Sequence, residues 1–145
     1  MRVLGIDLGE RRIGLAVSDE DGRIAFPAGS LVRKGRKTDF PALCALIAER
    51  GIGRAVVGLP LHMSGRAGPE ADAARRFAAE LAAAAQIPVD TLDERWTSVA
   101  AERSLAESGR RTVERRGKGV VDEVAATLLL STYLERLQRA EPARA

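Results

Sequence analysis

Residues Gly5 to Asp19 read GIDLGERRIGLAVSD: an apolar run that carries one acid, Asp7, a short polar link, and a second apolar run. Two such runs on either side of a tight Gly-containing link predict a β-hairpin. Val3 to Leu8 is the first strand, Gly9 to Arg11 the turn, and Ile13 to Val17 the antiparallel partner. Asp is depleted from strands, and an ionised carboxylate beside a core is costly unless cations or hydrogen-bond donors compensate it. Asp7 is therefore the first candidate functional residue.

Working outward from the hairpin, Ser18 to Gly22 (SDEDG) reads as a second turn and Ile24 to Val32 as a third strand, with Pro27 pointing to an edge or a bulge. The pattern then changes to helix. Thr38 or Asp39 caps it, Pro41 suits its first turn, Leu43, Leu46 and Ile47 form its apolar stripe, and Gly51 ends it. Arg54 to Pro60 is a short buried strand, His62 to Glu70 a loop, and Pro69 opens an Ala-rich helix to about Gln86. Ile87 to Glu94 is a further strand, Thr97 to about Glu107 a helix, and Val120 to Leu137 the last helix. The expectation is one domain over residues 1–138 and a frayed tail over 139–145. Its fold class is α/β: a mixed five-stranded sheet, three antiparallel strands continued by parallel ones, flanked by helices.

Composition narrows the classes. No apolar run approaches the roughly 20 residues that span a bilayer, and MRVLGID lacks the features of a signal peptide, so the expectation is a cytoplasmic protein without a membrane partner. The single cysteine, Cys44, excludes an intrachain disulfide and a multi-thiolate zinc site and is expected to be a buried thiol. The net charge of +3 says little by itself, but Arg33 to Lys37 (RKGRK) carries four positive charges and Gly109 to Lys118 (GRRTVERRGK) five against Glu114. Such runs neutralise phosphates along a backbone, and a solvated loop gives the same pattern. The five aromatics, Phe26, Phe40, Phe77, Trp96 and Tyr133, are too few for an extended base-stacking platform.

Three acids stand apart by location. Asp7 lies in the first strand, Glu94 with its neighbour Asp93 ends the last strand, and Asp122 opens the final helix on the face of Ala125, Ala126 and Leu129. If the first and last parallel strands are neighbours, Asp7 and Glu94 approach one another and the helix brings Asp122 to the same point. Taken singly, each has a bland alternative: turn amides for Asp7, Arg95 or Arg103 for Glu94, the helix dipole for Asp122. Taken together, converging carboxylates repel one another, and hard divalent cations with oxygen ligands are the usual remedy. Two such ions activate a water and stabilise the leaving oxygen of a phosphodiester, so a magnesium-dependent nuclease fits.

The blocks GIDLGERRIGLAVSD, VVGLPLHMSGRAG, DERWTSVAAE and KGVVDEVAATLLLSTYL resemble, in order and spacing, those of the YqgF family, over Met1 to about Leu137. The resemblance implies an RNase H-like fold similar to RuvC-type Holliday junction resolvases, and the family is named both as a resolvase and as a nuclease maturing the precursor of 16S ribosomal RNA. It implies Asp7, Glu94 and Asp122 as the catalytic, metal-binding set, with Asp93 a weaker candidate. Two Mg2+ or Mn2+ ions would be bridged by Asp7 and held singly by Glu94 and Asp122, giving a 5′ phosphate and a 3′ hydroxyl. Trp96 stands where a smaller aliphatic or Phe is usual and is expected to pack. His62 stands where Asn is common and is expected to touch substrate or only line the loop; Ser64 replaces a common acid.

Arg11 and Arg12 lie near enough in sequence to contact flanking phosphates, and Gly9 and Gly14 would let substrate come close. Arg110, Arg111, Arg115, Arg116 and Lys118 would form a mobile clamp over the backbone. The expected partner is nucleic acid, precursor rRNA or branched DNA, with the ribosome or its precursors as a further partner and the chain a monomer or homodimer. Two competing classes remain: an actin-like ATPase, whose opening GIDLG is similar but which needs two such domains, and a non-catalytic nucleic-acid-binding module on the same fold.

Overall fold

The computed structural model describes residues 1–60, 64–96 and 119–140. His62, the expected helix of residues 97–107, the basic residues Arg110, Arg111, Arg115, Arg116 and Lys118, the Trp96 side chain and residues 141–145 lie outside the described residues.

The hairpin forms as the sequence predicts, β1 over Arg2–Leu8 and β2 over Arg12–Ser18, paired antiparallel with Asp7 opposite Gly14. Their turn is closed by the Gly9 N–H donating to the Arg12 carbonyl at 2.9 Å. The next turn is built by Asp19, whose Oδ1 accepts the Arg23 and Ile24 amides at 2.7 and 2.9 Å. Those amides, Ile24 first, hold the Asp19 carboxyl below its ordinary pKa. β3, Ala25–Val32, pairs with β2 at the edge of the sheet. The register slips between Gly14 and Ala16, and Ala16 pairs with Pro27, so both marks expected of that proline are present.

Helix α1 spans Arg36–Arg50 and is capped three or four residues ahead of the caps expected at Thr38 or Asp39. Gly35 is the N-cap, and Pro41 sits in the second turn rather than the first. The physical reason is that Asp39, already inside the helix and buried, reaches back to accept the Lys34 and Gly35 amides. Gly51 closes the helix in the left-handed conformation, as expected. β4 is Ile52–Leu59, α2 is Pro69–Ala85 with Pro69 in its first turn, and β5 is Val89–Asp93. Glu94 does not end a strand; it opens a 3₁₀ turn, Glu94–Trp96. The last described helix, α3, spans Gly119–Ala140 and continues past Leu137 through two residues expected in the tail. No helix among the described residues is long and apolar enough to cross a membrane.

The sheet order is β3-β2-β1-β4-β5, antiparallel across the first three strands and parallel across the last three. β1 and β5 are therefore not neighbours, against the condition set for Asp7 and Glu94 above; β4 separates them. Alternation along the strands divides the core in two. Leu4, Ile6, Ile13, Leu15, Val57 and Leu59 face α1 and α2, where Phe40 and Phe77 stack at 5.1 Å. Val3, Ala16, Val56 and Leu92 face α3 through Ala126, Leu129, Leu130 and Leu134. With both faces covered, β1 and β4 are buried almost end to end, which is why their sequences read as continuous apolar runs. Cys44 is half-buried, not fully buried as expected.

Candidate active site

Asp7 shares a strand face with Val3 and Gly5, the face covered by α3, and it is 1% exposed. Its β2 partner is Gly14, and continuing the register from Ile6 opposite Val57 places Gly58 of β4 on its other side. Asp7 thus stands between two glycines, and each gap admits one of the other acids.

At Gly14 the space is taken by α3. A Cβ there would lie 2.0 Å from the carbonyl oxygen of Asp122 and 2.8 Å from the Asp122 Cβ, so only glycine lets the helix start land beside Asp7. Gly5, one step along β1, meets Leu130 Cβ at 2.8 Å by the same measure, and the two close approaches set the helix low on the sheet. The Asp122 carboxylate then reaches the hairpin turn, with Oδ1 3.4 Å from where a Gly9 Cβ would be. Gly14 therefore serves the protein's own helix rather than an approaching substrate. Glu123 helps to fix this start, since its Oε1 accepts the Gly29 amide of β3 at 2.9 Å. Sequence reading passed over Glu123; its only signal was an acid in the first turn next to the candidate.

At Gly58 the space is taken by Glu94. Its Oε1 lies 2.5 Å, and its carboxyl carbon 3.1 Å, from where a Gly58 Cβ would stand. The side chain crosses the missing side chain of β4 and points from β5 toward β1, which brings Glu94 near Asp7 although their strands do not touch. Strands lie about 4.8 Å apart, so the Glu94 carboxylate sits on the order of one strand spacing from Asp7. Glu94 is 8% exposed, and Asp122 is half-buried.

Asp93 points elsewhere. Its carboxylate accepts the Arg95 amide at 3.0 Å and the Arg95 guanidinium through Nε and a terminal nitrogen, the latter at 2.7 Å. This bidentate pair raises the Arg95 pKa above its ordinary value, through the hydrogen bond first. Arg95, proposed above as a partner for Glu94, makes an ion pair with Asp93, and its guanidinium also borders the Gly65 turn at 3.3 Å from a Cβ position. Arg11 is exposed and Arg12 half-exposed in the turn beyond Asp7.

Among the described residues no three His, Cys, Asp or Glu side chains already stand close enough to hold a metal ion. The donors fit a hard cation in kind: all are carboxylates, and two are buried.

The chain has relatives. A "Putative pre-16S rRNA nuclease" of Chloroflexus aurantiacus is 42% identical over 142 residues, 98% of this chain and 91% of that protein. One of the same name from Anaeromyxobacter dehalogenans is 45% identical over 136 residues, covering 94% and 98%. Among solved structures, Thermus thermophilus RuvC in complex with a Holliday junction substrate superposes with a TM-score of 0.58 at 15% identity, covering 95% of this chain and 96% of that one. The fowlpox virus Holliday junction resolvase gives 0.54 at 13%, covering 94% and 99%. At these identities the two structures show a common fold, RuvC-like and of the RNase H type expected. The family RuvX, described as Holliday junction resolvase, matches residues 1–136, and the chain belongs to this family, the one its four sequence blocks resemble under the name YqgF.

Proposed function

We propose that the protein is a divalent-metal-dependent nuclease that hydrolyses phosphodiester bonds in maturing the 5′ end of precursor 16S rRNA, with Asp7, Glu94 and Asp122 as its essential acids. One observation supports this reading: Gly14 and Gly58, which flank Asp7 in the sheet, leave room for the start of α3 at Asp122 and for the Glu94 side chain. Asp7, Glu94 and Asp122 would hold Mg2+ or Mn2+, in a pair of ions. Bound there, such ions supply an activated water and a counter-charge for the leaving oxygen. The chain supplies the rest. Asp7 is held in β1 by its pairing with Gly14 of β2 and is buried, so its backbone is fixed before substrate arrives. Asp122 is carried by a helix whose approach two glycines fix, and Arg11 and Arg12 offer cations to phosphates beside the acids.

Curated relatives at 42% and 45% identity carry the rRNA name, which favours RNA. A second reading, cleavage of four-way DNA junctions, is favoured by the family description and the RuvC-like fold. The test offers purified protein a precursor 16S leader transcript and a four-way DNA junction side by side, with Mg2+ or EDTA. Cutting of the transcript in Mg2+, and a loss of about a thousandfold in Asp7→Asn, is expected, since several kcal/mol of charge stabilisation depends on that carboxylate. Mg2+ should also raise the Tm of the parent and not of Asp7→Asn. Parental cutting by Asp7→Asn would remove the acids from the mechanism, and preference for the junction would select the second reading.

A further inference from the structure

The acids leave one strongly charged patch unused, and its reading rests on the proposed function for the class of substrate. Arg33 and Lys34 in the loop between β3 and α1, and Arg36 and Lys37 in the first turn of α1, are all exposed. It is not a slack loop. The Arg33 amide donates to the Arg11 carbonyl at 2.8 Å, and the Arg33 guanidinium donates to the Gly9 carbonyl at 2.8 Å, tying the loop to the β1–β2 turn. On its other side the buried Asp39 carboxylate accepts the Lys34 amide at 3.1 and 3.3 Å and the Gly35 amide at 3.2 Å. Turn and loop form one surface. Arg36 is engaged by Glu80 at 2.8 Å, whereas among the described residues no ion pair engages Arg11, Arg12, Lys34 or Lys37.

The patch is at the right end of the molecule. Gly9 lies two residues beyond Asp7 and next to Asp122, and the loop follows β3 at the same end of the sheet. β3 is two strands from β1, so at about 4.8 Å per strand the loop stands on the order of 10 Å from Asp7. A duplex strand rises about 3.4 Å per nucleotide, so cations there meet the backbone about three nucleotides from a phosphate placed at the acids. A cation on a loop pinned at both sides, and one in the first turn of the helix that follows, rest on backbone that loses little further freedom on binding, which favours a built binding surface over a solvated run.

We propose that the turn at Arg11 and Arg12, the loop residue Lys34 and Lys37 in the first turn of α1 form a backbone-binding strip that seats the nucleic-acid strand about three nucleotides to the β3 side of the cut. The strip reads no sequence; it sets the register of the strand over the acids.

Fluorescence anisotropy with a short labelled single-stranded RNA and a short DNA duplex, in EDTA so that nothing is cut, measures binding across a salt series. For Lys34→Gln/Lys37→Gln the slope of log K against log salt should become shallower by about 1.4 on RNA and about 1.8 on duplex, with binding roughly 25- to 60-fold weaker at about 0.1 M salt. Arg136→Gln/Arg139→Gln, at exposed positions near the far end of α3, should keep the parental slope. An unchanged slope in the lysine variant, or equal flattening in the control, overturns the strip. Mg2+ cleavage by the parent is scored separately: a parent that binds with the expected slopes but does not cut leaves the strip standing and removes the nuclease reading.

Discussion

Two ends of one sheet face, both under α3, place their acids in opposite company. At the end where β4 and β5 begin, Asp90 accepts the Tyr133 hydroxyl and faces Arg54 at 3.7 Å, while the Arg54 guanidinium also donates to the Tyr133 oxygen at 3.4 Å. Acid, cation and phenol there answer one another within the protein. At the other end, the start of α3 at Asp122 and the Glu94 side chain come in beside the neighbours of Asp7, and what makes room for them is the absence of side chains at Gly14 and Gly58. The first arrangement is a packing solution. The second brings acids from α3 and the 3₁₀ turn in from either side of Asp7.

The comparison breaks most visibly at Gly14. A Cβ there meets backbone of α3, which cannot swing aside, so Gly14→Ala must lift the helix start that carries Asp122. Overpacking of this kind costs up to about 3 kcal/mol, or a fall in Tm of about 10 °C for a chain of this size. Cleavage should fall with it. A Gly14→Ala protein with parental Tm and activity would mean that α3 does not sit where the acids need it.

Gly58→Ala separates stability from site geometry. The atom its Cβ would meet is the far end of the Glu94 side chain, which can rotate away, so the Tm should move by less than about 3 °C, the shift expected for under 1 kcal/mol. Glu94, however, would be turned away from Asp7. Cleavage should drop by at least about tenfold, which is 1.4 kcal/mol of barrier. Circular dichroism melting and a cleavage assay on the same preparation check both halves; parental cleavage would show that the Glu94 route across β4 carries no function.

These two glycines also mark what the sequence did and did not disclose. The hairpin, the Asp19 turn and the edge position of β3 rest on local patterns, on Gly9, Asp19 and Pro27, and local chemistry is what a sequence shows directly. The position of β4 between β1 and β5 is a long-range pairing with no periodic signature, so the path from Glu94 to Asp7 was expected by the wrong route. The signal was present in AVVGLP and RRIGLAV, where a glycine interrupts a buried strand and signifies close approach by another chain segment. The α1 start was misplaced because Asp39 caps from within the helix. The clamp expected at Arg110 to Lys118 lies outside the described residues, whereas RKGRK, read only as a charge run, became informative once Arg33 was seen to hold the turn beside Asp7.

The smallest effect is expected at the self-answering end, and it can be read on one chromophore because Tyr133 is the only tyrosine. Burial first, and then the hydrogen bond to Asp90, push its pKa up to about 12 from 10.0. A folded value above the unfolded one favours the protonated phenol, so this contribution to stability is complete below pH 10 and is lost as the pH rises through about 12. Phenolate absorbance of the native protein should therefore rise with a midpoint near 12, and Asp90→Asn should shift it back toward 10 without reaching it, since burial persists. An ordinary midpoint in the native protein would mean that this end is as solvated as an exposed loop. Tyr133→Phe should leave cleavage at the parental rate, because the acids lie at the opposite end of the face; a loss there would show that the two ends are coupled through α3 rather than independent.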